Sequence, residues 1–364
     1  MFYYLISLFS IFLIFLSEKT KKQAIALISL MFLAAIGACR DNTIGTDVLV
    51  YGADFFRYAC LSKDIREYFQ YVETEPLYFY LNFIISRFTN EYVFMQLACQ
   101  LLSIFPIYYC CYYWKQRTSL TFCMAIFILL FYFQSYNNIK QYISLAFILS
   151  AYISLLNKKY ILYVCFSIIA ILGHSTGFIS ILFLLIYLIH RDSNRLRIIF
   201  LDILFLLILL SGLFVFKDLL NMMLSYGADS RYSFYLENSI ENNSLDKAKI
   251  LTWIVTIFIE IYIIFHTEKK REVGLFLITT LTGFTLFFLG NILPFANRLA
   301  LYFFILNIIG LPYTIYISKF NKYIKNTIQI GYFSILLLNF FYNYIYLGGL
   351  GQIYPYTSKI LGFH

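Results

Sequence analysis

The stretch CRDNTIGTD (Cys39 to Asp47) places an arginine and two carboxylates directly after about seventeen apolar residues. Arginine can hold a phosphate through two charge-assisted hydrogen bonds from its planar guanidinium. A nearby aspartate can take a proton from an attacking hydroxyl. Arg40 as a phosphate ligand, with Asp47 and Asp41 as proton acceptors, forms the first candidate site. A helix end capped by Asp and Asn, with the arginine reaching lipid headgroups, explains the same spacing.

A second set of polar residues lies in short turns between apolar runs. The turn YNNIKQ carries Asn138, Lys140 and Gln141, and the turn GHST carries His174 and Ser175. His174 can act as a base, although a single histidine in a turn is more often a hydrogen-bonded structural residue. No HExxH or CxxC spacing accompanies it, so no metal site is expected.

Isolated cations complete the candidate site. Lys140, Arg231 and Arg298 lie outside the basic loops and, like Arg40, have no acidic residue at helical i,i+4 spacing. Each alone is explained by loop solvation. Together the four could stabilise the negative charge of a pyrophosphate.

The elements that must position these residues are membrane helices. The 364-residue chain is 61% hydrophobic and 13% charged, with a mean hydropathy of +0.75, which a soluble core of this size cannot accommodate. We predict an all-α polytopic protein with about twelve spans (11 to 13), forming one integral membrane domain over residues 1–364. The spans are 2–17, 23–39, 91–114, 118–135, 141–156, 160–174, 176–190, 198–216, 250–266, 273–290, 299–317 and 327–348.

Charge distribution predicts the orientation. One set of loops holds sixteen Lys and Arg against four Asp and Glu, which is typical of the cytoplasmic side. The opposite side then carries every unusual polar segment, within two larger extracytoplasmic loops at 40–90 and 217–249 and in short turns. Pro76 to Phe88 is too short to span and is predicted to be a re-entrant or interfacial helix. The net charge of +9 is explained by the basic loops, and no nucleic acid is expected.

The sequence contains no GxxxxGK loop, GxGxxG turn or GxSxG elbow. ATP-driven, dinucleotide-dependent and serine-hydrolase chemistry is therefore disfavoured. The energy for a reaction would have to arrive in an activated substrate such as a lipid-phosphate donor.

The ordered polar segments resemble the EpsG/Wzy-type polysaccharide polymerases, multi-span proteins of bacterial surface-polysaccharide assembly. RDNTIGTDVLVY (40–51) is similar to that family's R-x-x-x-x-G-T-D-x-x-x-Y. In family order follow EPLYFYLNFIISRFTNEY (75–92), YNNIKQYISLAF (136–147), ILGHSTGFI (171–179), NRLALYF (297–303) and YPY (354–356). Lys140 stands where the family usually has arginine, and Arg231 is assigned by its place in a loop and not by a motif.

The resemblance implies an inverting glycosyltransferase at the outer face of the bacterial inner membrane. It would transfer an undecaprenyl-pyrophosphate-linked glycan onto a lipid-linked repeat unit, without a metal or other cofactor, because the donor is already activated. Its partners would be the lipid-linked donor and acceptor, membrane lipids, and by analogy a chain-length regulator and a flippase. An architecture like that of GT-C glycosyltransferases is compatible with this pattern.

Roles for individual residues combine this resemblance with the chemistry of the side chains. Asp47 or His174 would take the proton of the acceptor hydroxyl, Asp41 is a further catalytic candidate, and the four cations would stabilise the leaving pyrophosphate. Supporting contacts are expected from Gly45, Thr46, Tyr51, Asn138, Gln141, Ser175 and Tyr356.

Two other functions fit a chain of this kind. A lipid-linked oligosaccharide flippase should carry charges deep in its spans, whereas Asp202 and Glu260 are the only acids well inside the predicted spans. Another glycosyltransferase that uses a lipid-phosphate sugar is also open. The sugar, the linkage and the kind of surface polysaccharide do not follow from the sequence.

Overall fold

The protein is helical throughout the part that the computed structural model describes, which is residues 2–191, 194–225, 247–290, 293–347 and 353–363. Within these ranges no β-strand forms, and the one bridge pairs Ser358 with Phe363. The predicted all-α class is therefore confirmed. The helices are α1 (Phe2–Thr20), α2 (Gln23–Ala38), α3 (Ala53–Leu61), α4 (Ile65–Tyr71), α5 (Pro76–Ser86), α6 (Tyr92–Tyr113), α7 (Leu120–Leu130), α8 (Ile139–Leu156), α9 (Tyr160–Gly173), α10 (Ser180–Ile189), α11 (Arg195–Ser225), α12 (Lys247–Phe265), α13 (Lys270–Leu289), α14 (Pro294–Phe304), α15 (Asn307–Ile317) and α16 (Lys322–Phe341).

Eight helical segments within the described residues are long and apolar enough to cross a membrane, and each coincides with a predicted span. The other four predicted spans correspond to α2, α7, α9 and the segment Ser175–Ile189, which have 11 to 16 residues. A helix of 16 residues is about 24 Å long, short of a hydrocarbon core of about 30 Å. The count of about twelve spans stays a prediction.

The two predicted extracytoplasmic loops stay predictions. Residues 40–90 contain the short helices α3, α4 and α5, and the 11-residue α5 begins at Pro76. The second predicted loop, 217–249, begins inside α11, which continues to Ser225, and ends inside α12. Residues 226–246, including Arg231, lie outside the described residues.

The described residues form two compact units. The first comprises residues 1–180 and 321–364, and the second comprises residues 181–320. In the first unit α8 packs against α6 and α9, α2 packs against α1 and α6, and α7 packs against α1 and α16. In the second unit α13 packs against α12 and α14.

A buried apolar cluster fixes the first loop to the helices of the first unit. Val48 and Phe56, near the start of that loop, share this cluster with Met95 of α6 and with Ile139 and Ile143 of α8. Burying such side chains stabilises the folded state by about 1.5–3 kcal/mol each. The loop therefore lies against the beginning of α8 and cannot move independently of it.

Gly45 allows the closest approach of the loop to the turn before α8. Its φ is +92°, and a Cβ at this position would lie 2.2 Å from the carbonyl oxygen of Tyr136. Only glycine tolerates both the left-handed backbone and the close contact. The neighbouring Thr46 N–H donates to the Asn137 Oδ1 at 3.0 Å, which fixes the same approach.

We expect Gly45→Ala to destabilise the protein by at least about 1–2 kcal/mol, because alanine adds backbone strain and collides with Tyr136. Thermal unfolding of purified protein in detergent measures the effect as a lower Tm. Gly331→Ala is the matched control, because Gly331 lies on an exposed face of α16 with nothing within 4 Å of an added Cβ. A Gly45→Ala protein as stable as the Gly331→Ala protein would contradict this account.

Candidate functional site

The carboxylate of Asp47 sits at the N-terminus of α8. Its Oδ2 accepts hydrogen bonds from the Ile139 N–H, at 2.9 Å, and from the Tyr51 hydroxyl. Asn138, the N-cap residue of α8, makes no side-chain cap bond of its own. A carboxylate from a distant loop thus supplies the missing cap and complements the positive end of the helix dipole.

Lys140 follows in the first turn of α8 and pairs with Glu75. The Lys140 Nζ lies 2.6 Å from the Glu75 Oε2 and 3.2 Å from the Thr74 Oγ1. The ammonium also lies over the ring of Tyr51, 4.4 Å from its centroid. Both charged side chains are about four-fifths buried, so solvent screens their attraction only weakly.

Glu75 owes its position to the proline that follows it. Pro76 begins α5, and a residue before proline takes an extended backbone, as Glu75 does with ψ at 139°. Its side chain makes no cap bond to α5. The carboxylate is therefore available to Lys140 and to His174.

His174 faces the other oxygen of the same carboxylate. Its Nε2 lies 3.9 Å from the Glu75 Oε1. Its Nδ1 accepts the Thr176 N–H at 3.3 Å and contacts the Thr176 hydroxyl at 2.6 Å. Because Nδ1 accepts the Thr176 N–H, the neutral ring carries its proton on Nε2, the nitrogen nearer to Glu75.

The electrostatics of the cluster keep Glu75 ionised. Burial favours its neutral form, but the Lys140 ammonium and its hydrogen bond outweigh burial and hold the pKa of Glu75 below the ordinary value. Burial, followed by the Asp47 carboxylate, raises the pKa of Tyr51 well above its ordinary value. Tyr51 is therefore a neutral hydrogen-bond donor to Asp47.

The side chain of Arg40 is buried and does not lie on an accessible surface. It is 3% exposed, donates from Nε to the Ile44 carbonyl at 3.3 Å and from Nη1 to the Gly37 carbonyl, and lies over the Tyr136 ring at 4.5 Å. Its Nη2 is buried without a hydrogen-bond partner. The guanidinium therefore bonds to backbone carbonyls near the end of α2, and its part as a phosphate ligand stays a prediction.

Asp41 and Tyr356 join the C-terminal segment to the end of α2. The Asp41 Oδ1 accepts the Lys359 N–H at 2.9 Å, and the Asp41 N–H donates to the Thr357 carbonyl at 3.1 Å. The Tyr356 hydroxyl donates to the Ile36 carbonyl at 2.9 Å. These contacts give both residues a structural part, and their predicted roles at a substrate stay predictions.

The remaining predicted residues are divided between the two units. Gln141 is buried in the first turn of α8, and Ser175 is exposed beside His174. Arg298 is exposed on α14, in the second unit. The structure thus brings Asp47, Tyr51, Lys140 and His174 into one cluster, and the parts of Arg298 and Arg231 stay predictions.

Glu75 is the member of the cluster to which the sequence analysis assigns no role. It contacts both Lys140 and His174, although it lies 65 and 99 positions from them in the chain. The available signal was its place at the start of a segment that carries the family resemblance, immediately before a proline. Within the described residues no group of three or more His, Cys, Asp or Glu could hold a metal.

The helices and this cluster define a multi-pass helical membrane protein with a polar site between its first loop and the beginning of α8. A model of the EpsG family matches residues 23–358, and the chain belongs to that family. The predicted family is therefore confirmed. No curated protein and no solved structure matches the chain.

We expect Glu75→Gln to lower the Tm of the purified protein near pH 7, because Lys140 loses its counter-charge. The pKa of Glu75 is lowered by folding, so its contribution is present above its ordinary value of 4.5 and is lost as the pH falls through the folded value. The Tm difference between wild type and variant should therefore shrink as the pH falls below 4.5. Glu73→Gln changes an exposed neighbour of Glu75, and its Tm should match that of wild type both near pH 7 and in acid. A difference that grows in acid would contradict the assignment.

Proposed function

We propose that the protein is a repeat-unit polymerase of a bacterial surface polysaccharide. It would join undecaprenyl-pyrophosphate-linked oligosaccharides at the outer face of the inner membrane. The observation that carries the proposal is the convergence of Asp47, Glu75, Lys140 and His174 on one site in a chain of the EpsG family. O-antigen, capsule and exopolysaccharide are all compatible with this chemistry.

The proposed reaction needs a proton acceptor and a cation, and the Glu75–Lys140 pair supplies both. The acceptor hydroxyl oxygen attacks the anomeric carbon of the donor, the bond from that carbon to the pyrophosphate oxygen breaks, and the configuration inverts. The hydroxyl proton passes to the Glu75 carboxylate, which is ionised and partly open to solvent. The pyrophosphate leaves as an anion.

Proton transfer to Glu75 would change the partner of Lys140. Once Glu75 is neutral, the Lys140 ammonium no longer has the Glu75 carboxylate as its counter-ion. It can then stabilise the negative charge that develops on the leaving pyrophosphate. His174, with its Nε2 proton directed at the same carboxylate, would orient Glu75. Asp47 already accepts two hydrogen bonds on one oxygen, which fits a positioning part better than that of the base.

Deletion of the gene tests the function itself. We expect surface polysaccharide from the deletion strain to carry a single repeat unit on its lipid carrier or core, because units are made and exported but not joined. Gel electrophoresis beside a complemented strain measures the loss of the long ladder. Loss of every repeat unit would instead place the protein earlier, as a flippase or a unit-assembly transferase.

Point variants test the assignment of the base. We expect Glu75→Gln to abolish the ladder with the protein still present in the membrane, because the amide cannot accept the proton. Glu73→Gln should leave chain length unchanged. Immunoblots of membrane fractions check the protein level of each variant.

One outcome would assign the role of the base to a different residue. If Glu75→Gln kept a full ladder while Asp47→Asn lost it, Asp47 would be the base and the Glu75–Lys140 pair only structural. Asparagine keeps the oxygen that caps α8, so this variant removes the charge without removing the cap.

A further inference from the structure

The second unit contains a groove that the proposed reaction does not use. It has a volume of about 540 Å³ and lies between the first turns of α11, the end of α12 and the first turns of α13. Its walls are mostly aliphatic, with Ile199, Leu206 and Leu277 among the lining side chains. Little of the apolar segment Arg195–Val215 of α11 is buried, so one side of the groove is formed by a helix with an exposed apolar surface.

The mouth of the groove is cationic. Arg195, Lys270 and Arg271 line it, and all three side chains are exposed. Glu268, an acid among the described residues that line the groove, pairs with Lys319 at 2.8 Å. The mouth therefore presents a net positive charge next to an aliphatic wall, which is complementary to the phosphate and acyl chain of an anionic lipid.

A buried polar pair lies inside the groove. The side chain of His190 is 2% exposed, and its Nε2 lies 3.6 Å from the Asp202 Oδ2 and has no hydrogen-bond partner. The Asp202 Oδ1 is also buried without a partner. Gly274 borders His190, and a Cβ there would lie 3.5 Å from the His190 Nε2. Unsatisfied polar atoms at this depth are costly unless a ligand bonds to them. The His190 Nδ1 donates to the Ile186 carbonyl, so the Nε2 of the neutral ring is an acceptor, and a ligand hydroxyl can donate to it or to the Asp202 carboxylate.

We propose that this groove is a binding site for an anionic phospholipid whose headgroup carries a hydroxyl, such as phosphatidylglycerol. The phosphate lies between Arg195 and Arg271, the two hydroxyls of the glycerol headgroup donate to the His190 Nε2 and to the Asp202 carboxylate, and an acyl chain follows the aliphatic wall. The site belongs to the leaflet at the basic ends of the helices. It is independent of the polymerase proposal, because no residue of the Glu75 cluster contributes to it.

Native mass spectrometry of the full-length protein in detergent tests the proposal, with phosphatidylglycerol and phosphatidylcholine of matched chains as probes. We expect wild type to retain phosphatidylglycerol preferentially and Arg195→Gln to retain it about fivefold less, as expected for one basic residue near a lipid phosphate. Lys269→Gln is the matched control, because it removes one charge at the same basic end but outside the groove. Gly274→Leu, which fills the groove beside His190, should also reduce retention.

Three results would overturn the site. Equal retention of the two lipids would contradict recognition of the anionic headgroup by the cationic mouth. Unchanged retention in both Arg195→Gln and Gly274→Leu would show that the lipid binds outside the groove. Displacement of phosphatidylglycerol by excess soluble glycerol phosphate would show that the groove takes a free anion and not a lipid.

Discussion

The bond between the Asp47 carboxylate and the N-terminus of α8 is the contact on which the arrangement of the site depends. It links the first loop to the helix that carries Lys140, across more than ninety positions of chain. Gly45 permits the approach, and the cluster around Val48 and Met95 excludes water from beneath it. Because the loop is held there, the chain returns through α3 and α4 to place Glu75 within reach of Lys140. Without the bond from Asp47 to α8, the ion pair between Glu75 and Lys140 would itself have to order both side chains. The entropy cost of that ordering is one that exposed ion pairs rarely recover.

Sequence reasoning recovers the residue types at the site better than their partners. Asp47, Lys140 and His174 could be selected because polar residues between apolar runs are few and have local motifs. Glu75 could not, since its importance comes from contacts to residues 65 and 99 positions away, and no periodicity encodes such distances. The same limit applies to Arg40: its spacing allowed a ligand or a helix cap, and only the fold places it under Tyr136. The all-α fold class can be predicted from hydropathy. The number of membrane spans depends on where α2, α7 and α9 end.

Arg40 and Lys140 illustrate two ways of holding a cation inside a folded protein. Within the described residues Arg40 has no ion pair, and its charge is met by carbonyl oxygens and by the face of Tyr136. A guanidinium tolerates this because it is weakly hydrated and stacks on aromatic rings. Lys140 has a compact, strongly hydrated charge and needs the carboxylate of Glu75 when it is buried. Of the two cations, Lys140 is therefore the one that loses its counter-charge when Glu75 takes up a proton.

That difference gives a physical reason for lysine at position 140, where the family usually has arginine. A bidentate arginine would hold its carboxylate by two hydrogen bonds and would keep that carboxylate ionised more strongly. The ammonium contacts one oxygen of Glu75, and the other oxygen lies 3.9 Å from the His174 Nε2, where the proposed reaction needs a proton acceptor. In the proposed reaction, protonation of Glu75 would free the charge of Lys140 at the moment the leaving group becomes negative. The loss of the guanidinium fork at this position is, in this arrangement, compatible with the same chemistry and not a defect in it.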